Sequence, residues 1–288
     1  MTPQKRLPLI RIKGIAFSLH PLFVIILLLS IVTGQFLELI TLFTIVLIHE
    51  LGHVWAAELA GASVKSVQLL PFGGVAVIED NGRLTAFREI GIAIAGPLQN
   101  VFLILGVMLL KAMSWGDPAF MDYLIHANLM IALFNLLPIL PLDGGKIVQA
   151  AVSFQAPYYS ALLWCGRVSV VFSAAVGVYA LLPLEYGGGL RLNLLLIAGF
   201  LLYSNITDHR NLPYRFLSFL MKREILYEQY RDKGSPASPI VASYAKPLDE
   251  ILRLFKRNRY HLIYVLDAEG SVTAVVPEQR LLSSYFGM

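Results

Sequence analysis

Charge is scarce in this 288-residue chain: Asp, Glu, Lys and Arg make up 15% of it, where soluble domains carry about 25%. With 57% of its residues hydrophobic, an ordinary water-soluble globule is excluded. Cysteine is scarcer still. Cys165 stands alone, so no internal disulfide can form and nothing points to an oxidising compartment. No histidine is placed to activate it, which makes it a buried thiol rather than a nucleophile. Internal repeats are absent. A convincing small-x-small cleavage site is missing near Gly34, so the apolar run behind the basic N-terminus reads as a retained helix and not a removed signal. The net charge of +4 is too modest for a nucleic-acid surface and suits the cytosolic flanks of membrane helices; no nucleic-acid partner is expected.

What the chain has is long apolar runs. Six spans are predicted, near 15–34, 36–59, 88–112, 121–142, 160–182 and 190–207, each close to the roughly 20 residues that cross a bilayer core. Polar residues interrupt the second and fourth, as in helices that line a site instead of facing lipid. Lys5, Arg6, Arg11 and Lys13 place the N-terminus in the cytosol. Six crossings return the C-terminus, with Arg210, Arg215, Lys222 and Arg223, to the same side. Between the second and third spans, Val64–Ile78 is β-branched and broken by Pro71 and Gly73-Gly74. It reads as a short hairpin at the membrane surface, either a simple connection or an edge that pairs with an extended substrate strand. Phe72, Gly73 and Gly74 are its candidate substrate contacts.

The tail is different in kind. After a polar connector and the linker Gly234-Ser-Pro-Ala-Ser-Pro239, the pattern is strand, helix, strand, strand, helix. The expected fold is an all-α polytopic membrane protein of about six helices with a short β-hairpin insertion, followed by a small α/β domain. The expected boundaries are 1–207 for the membrane domain, 208–239 for connector and linker, and 240–288 for the tail.

One motif carries chemistry. His49-Glu50-Leu51-Gly52-His53 lies inside the second span. Histidines four apart share a helix face, so both imidazoles reach one Zn²⁺, and the adjacent glutamate can take a proton from an attacking water. A third ligand must come from elsewhere. Asp143 is the candidate, because the fourth span ends on it at the cytosolic side, where His49 and His53 also lie, roughly 20–26 Å from the outer end of their helix. His126 lies too far outward along the same span and reads as an interface residue, like His20 and His209. Glu58 snorkels toward the interface. Asn135, about two turns before Asp143, either holds the substrate backbone or oxyanion or makes an interhelical hydrogen bond. The pattern points to peptide-bond hydrolysis inside the membrane.

Three segments, His49-Glu50-Leu-Gly-His53, Gly96-Pro97-Leu-Gln-Asn100 and Asn135…Leu142-Asp143-Gly144, resemble the site-2 protease family of intramembrane zinc metalloproteases. The resemblance implies His49, His53 and Asp143 as zinc ligands and Glu50 as catalytic acid/base. The Pro71–Gly74 segment and a tail resembling a single CBS motif are similar to the stage IV sporulation branch. That branch implies a membrane-associated protein substrate, the sigma-factor precursor pro-sigma-K, and membrane inhibitor proteins as partners. Half a CBS pair implies homo-oligomerisation or a partner, with adenine-nucleotide sensing a family-level option. The alternative reading, a membrane metal-ion transporter with a CBS-like tail, would favour ionisable residues strung along a path; here they cluster at one depth. A catalytically dead scaffold would have no need of Glu50.

Overall fold

In this computed structural model, residues 7–12, 15–19, 21–70, 73–79, 84–182, 191–224, 227 and 236–287 are described. They fall into two compact units, the first built from 1–84, 88–138 and 142–147, the second from 85–87, 139–141 and 148–288.

The first unit opens on a four-stranded sheet in the order β1 (Leu7–Ile12), β2 (Ile15–Leu19), β3 (Ser63–Leu70), β4 (Gly73–Glu79). β1 and β2 pair antiparallel, β2 and β3 parallel, and β3 and β4 antiparallel. The expected hairpin is therefore β3–β4, but it is half of a larger sheet. Ile15–Leu19, expected to open the first span, is a strand, and helix α1 covers only Pro21–Thr33. Pro21 suits the first position of a helix, where its missing N–H is not needed.

Helix α2 (Phe36–Leu59) follows after the tight turn at Gly34. Its Thr41 and Thr44 hydroxyls donate back to the carbonyls of Leu37 and Ile40, which hides two polar groups where lipid offers no partner. Helix α3 (Ala86–Ala112) contains Pro97. Its small and polar side, Ala93, Gly96, Pro97 and Asn100, is buried, whereas Val101, Phe102, Leu105, Met108 and Leu109 are exposed. That is the reverse of a soluble helix, and it fits a solvent of hydrocarbon. Helix α4 (Pro118–Asn135) starts at Asp117, whose carboxylate accepts the Phe120 N–H at 2.8 Å. It stops at Asn135, earlier than the expected 142, because Pro138 and Pro141 cannot donate into a helix. Asp143 then opens a helix absent from the sequence reading, α5 (Asp143–Gln155), where a carboxylate suits the positive end of the helix dipole. Gly144 and Gly145 thus lie in its first turn.

In the second unit, α6 (Tyr158–Leu181) packs along α7 (Leu192–Arg210). Among the described residues, α2, α3 and α6 are long and apolar enough to cross a membrane, and Val24–Thr33 is a shorter apolar helix. Helix α8 (Leu212–Met221) leads to the tail. There β5 (Ala237–Ser243) runs parallel to β6 (Tyr260–Leu266), and β7 (Val272–Pro277) pairs antiparallel with β6. Helices α9 (Leu248–Leu252) and α10 (Glu278–Phe286) complete the expected order. The tail core of Ile240, Leu252, Phe255, Ile263, Leu281 and Leu282 closes over Leu220 of α8. Beside it, the buried Arg223 donates to both Glu278 oxygens and to the carbonyl of Lys256.

Candidate metal centre

Three buried side chains of the first unit converge. Nε2 of His49 and Nε2 of His53 stand 3.1 and 3.0 Å from the same Asp143 oxygen, Oδ2, and 3.2 Å from each other. The i, i+4 spacing on α2 sets the two imidazoles one turn apart, edge to face at 83°, and the prolines ahead of α5 end the preceding helix so that Asp143 opens a new one beside them. The far side of each ring settles its tautomer. His53 Nδ1 is 2.7 Å from the Ile92 carbonyl, and His49 Nδ1 is 2.6 Å from Asn100 Oδ1. Both partners are acceptors, so both rings carry their proton on Nδ1 and turn a lone pair inward from Nε2.

Two inward lone pairs and a carboxylate oxygen repel one another at this range unless a cation lies among them. The donor set, two imidazole nitrogens and one carboxylate oxygen, is one that zinc takes in catalytic sites. Ligands about 2.0–2.1 Å from a tetrahedral ion stand about 3.3 Å apart, close to the 3.0–3.2 Å seen here. The residues fit the ion. Among the described residues this is the group of metal-binding side chains that comes together. Lys146 Nζ reaches the other Asp143 oxygen at 3.0 Å, holding that carboxylate by its second arm.

Close backbone approach makes the site compact. A Cβ on Gly96 would lie 2.3 Å from His53 Nε2 and 2.7 Å from His49 Nε2. Only glycine lets α3 pass this near the rings. Across from it, Glu50 is buried and its side chain meets β4, where a Cβ on Gly74 would fall 2.3 Å from Glu50 Cγ. β4 is the last strand of its sheet, so its outer backbone edge faces no further strand among the described residues, while Glu50 packs on its face at Gly74.

Of the other sequence candidates, Gly73 begins β4 opposite Leu70. Phe72 and His20 lie outside the described residues. Asn135, half-buried, ends α4 and donates to the Ile131 carbonyl at 3.0 Å. His126 is exposed, with Nδ1 2.7 Å from the Asp122 carbonyl, and takes no part in the cluster. Asn100 and Asn128, both fully buried, had no role assigned from sequence. The available signal was their chemistry: an amide inside an apolar helix needs a reason.

Comparison with known proteins follows the same lines. The profile of Peptidase family M50 matches residues 37–121 and 107–176. The chain is 31% identical over 270 residues to stage IV sporulation protein FB of Bacillus subtilis, covering 93% of this chain and 90% of that protein. It is 34% identical over 201 residues to a zinc metalloprotease of Methanocaldococcus jannaschii, covering 66% of this chain and 56% of that one. Among solved structures, a site-2 protease from Methanocaldococcus jannaschii superposes with a TM-score of 0.57 at 26% identity, over 71% of this chain and 95% of that one.

Proposed function

Because the chain belongs to peptidase family M50, the site-2 type of intramembrane zinc metalloprotease, we propose that His49, His53 and Asp143 hold its zinc ion and that Glu50 is its general base. The observation that carries this is the meeting of two Nε2 atoms and Asp143 Oδ2 within 3.2 Å, with Glu50 on the same helix. Zinc, when bound, polarises the scissile carbonyl and makes water a nucleophile near neutral pH. Glu50 accepts the proton from that water and returns it to the leaving amine. The edge of β4 at Gly73 and Gly74 receives the substrate as an added strand beside Glu50, and Phe72, which precedes it in sequence, is the further proposed contact. Asn135, at the end of α4, holds the substrate backbone.

On this reading the protein makes six crossings with both termini in the cytosol, and the segment 240–288 is a regulatory, CBS-like domain. Its substrate is a membrane-associated sigma-factor precursor of sporulation of the pro-sigma-K kind, restrained by membrane inhibitor proteins; the likeness to a sporulation protein over 93% of the chain supports this. A lone half of a CBS pair favours self-association or an adenine nucleotide as the tail's partner. Ligands gathered at a single point speak against the transporter, which needs a path.

The test is co-expression of the wild type or Glu50→Gln with a membrane-tethered substrate. The wild type yields a shortened product. Glu50→Gln keeps its zinc and loses cleavage by about 10²–10⁴-fold. A variant that still cleaves at the wild-type rate overturns the assignment of the base.

A further inference from the structure

Asn100 accepts from His49, and its own amide is held in turn. Asn100 Nδ2 donates to Asn128 Oδ1 at 3.0 Å, and Asn128 Nδ2 donates to the Leu124 carbonyl at 2.9 Å. Asn100 is 0% and Asn128 1% exposed, so water does not compete for these bonds. The series runs α4 to α3 to α2 and has a single consistent direction. The Leu124 carbonyl can only accept, so Asn128 must turn its NH₂ toward it and its oxygen toward Asn100. Asn100 must answer with its NH₂, which leaves its oxygen facing His49. An amide oxygen cannot donate, so His49 must carry its proton on Nδ1 and present the Nε2 lone pair to the metal position.

We infer that Asn100 and Asn128 are positioning residues for the metal centre: a two-amide relay, anchored on the Leu124 carbonyl, that sets the tautomer and tilt of His49. This rests on His49 being a zinc ligand. His53 gets the same service in one step from the Ile92 carbonyl; His49 needs two side chains because no backbone acceptor among its described partners lies at its Nδ1. Burying two amides in hydrocarbon has a cost that a lipid-facing leucine would avoid. Outer partners of this kind typically change metal affinity by roughly 10–100-fold.

The test is zinc affinity of the full-length protein in detergent, read by competition with a chromophoric chelator, with helical content followed by circular dichroism. Asn100→Leu should weaken zinc binding by about 10–100-fold while the helices remain. Asn100→Asp should bind zinc far more tightly than Asn100→Leu, because a carboxylate still accepts from His49 although it can no longer donate to Asn128. Because Asn128 can turn over and donate to that carboxylate, removing Asn128 in each background separates the relay from mere adhesion of α3 to α4. Asn128→Leu should weaken zinc several-fold when residue 100 is Asn and have no effect when it is Asp, whose two oxygens need no orienting. If Asn100→Leu binds zinc like the wild type, or if Asn128→Leu weakens it equally in both backgrounds, the relay is wrong. His49→Ala is the control: if it retains zinc, the ligand assignment itself fails, whereas zinc loss there with an unaffected Asn100→Leu sinks the relay alone.

Discussion

Gly74 lies against Glu50: a Cβ built on this strand residue would fall 2.3 Å from Glu50 Cγ and 2.6 Å from Cδ. The face of this edge strand and the proposed base are therefore set against each other with no room for a methyl group. Gly74→Ala must push the Glu50 carboxylate or the strand aside. A displacement of about 1 Å at a reacting group can reduce turnover by about 10²-fold. The expected result is turnover reduced by about 10–100-fold with zinc content unchanged, measured as cleavage rate and bound zinc on the same sample. Loss of zinc together with activity would mean that Gly74 serves the metal site and not the base.

Gly96→Ala should do the opposite. Its methyl group would stand 2.3 Å from His53 Nε2, at the place where the ligands meet. Alanine is the better helix former by about 1 kcal/mol, so α3 should persist while zinc affinity falls on the order of 100-fold. Asp143→Ala should lose zinc by a different route, removal of a donor. Elemental analysis with circular dichroism checks both, and full zinc occupancy in Gly96→Ala would refute the placement of the ion.

The tail should lose stability in mild acid. Burial pushes the His261 imidazole below its ordinary value, and the neighbouring Arg223 acts in the same direction, while Glu278 opposes them. The Lys256 N–H donates to Nε2 at 3.2 Å and Nδ1 lies 3.1 Å from Glu278 Oε2, so the folded tail holds the neutral ring with its proton on Nδ1. The unfolded chain, with a pKa near about 6.5, binds the proton first, so stability is full above that value and declines as pH falls below it. Hydrogen exchange in β6 and α10 of the full-length protein should show weaker protection at pH 5.5 than at pH 7.5. His261→Asn should remove much of that difference; equal protection of the wild type at both pH values would contradict it.

Arg223→Met should unsettle the tail without touching the metal centre. It leaves the Glu278 carboxylate, 0% exposed, without its guanidinium partner, and breaking a buried pair from one side costs about 3–5 kcal/mol. Proteolysis of the tail should speed up sharply while bound zinc stays constant.

Much of the site was legible in advance because helix periodicity is a local property. His49 and His53 share a face by their spacing alone. Asp143 could be chosen over His126 because rise per residue converts sequence position into depth. The order of elements in the tail followed from alternation and turn residues. The amide relay was illegible for the opposite reason: Asn100 and Asn128 are 28 residues apart, and nothing in either neighbourhood says that α3 and α4 bring them to 3.0 Å. Strand Ile15–Leu19 was also missed, since an apolar run beside an apolar helix has the composition of the helix, and its partner β3 lies beyond two helices.

The order of residues thus determined by itself that two imidazoles share one face of an apolar helix with a glutamate beside them, because residues four apart in a helix lie one turn above each other. Tertiary packing decided what those groups became. Glycine at 96 and 74 lets backbone come close enough to leave one shared point for the donor atoms and one wall for Glu50, and acceptors from α3 turn both rings so that their lone pairs face inward.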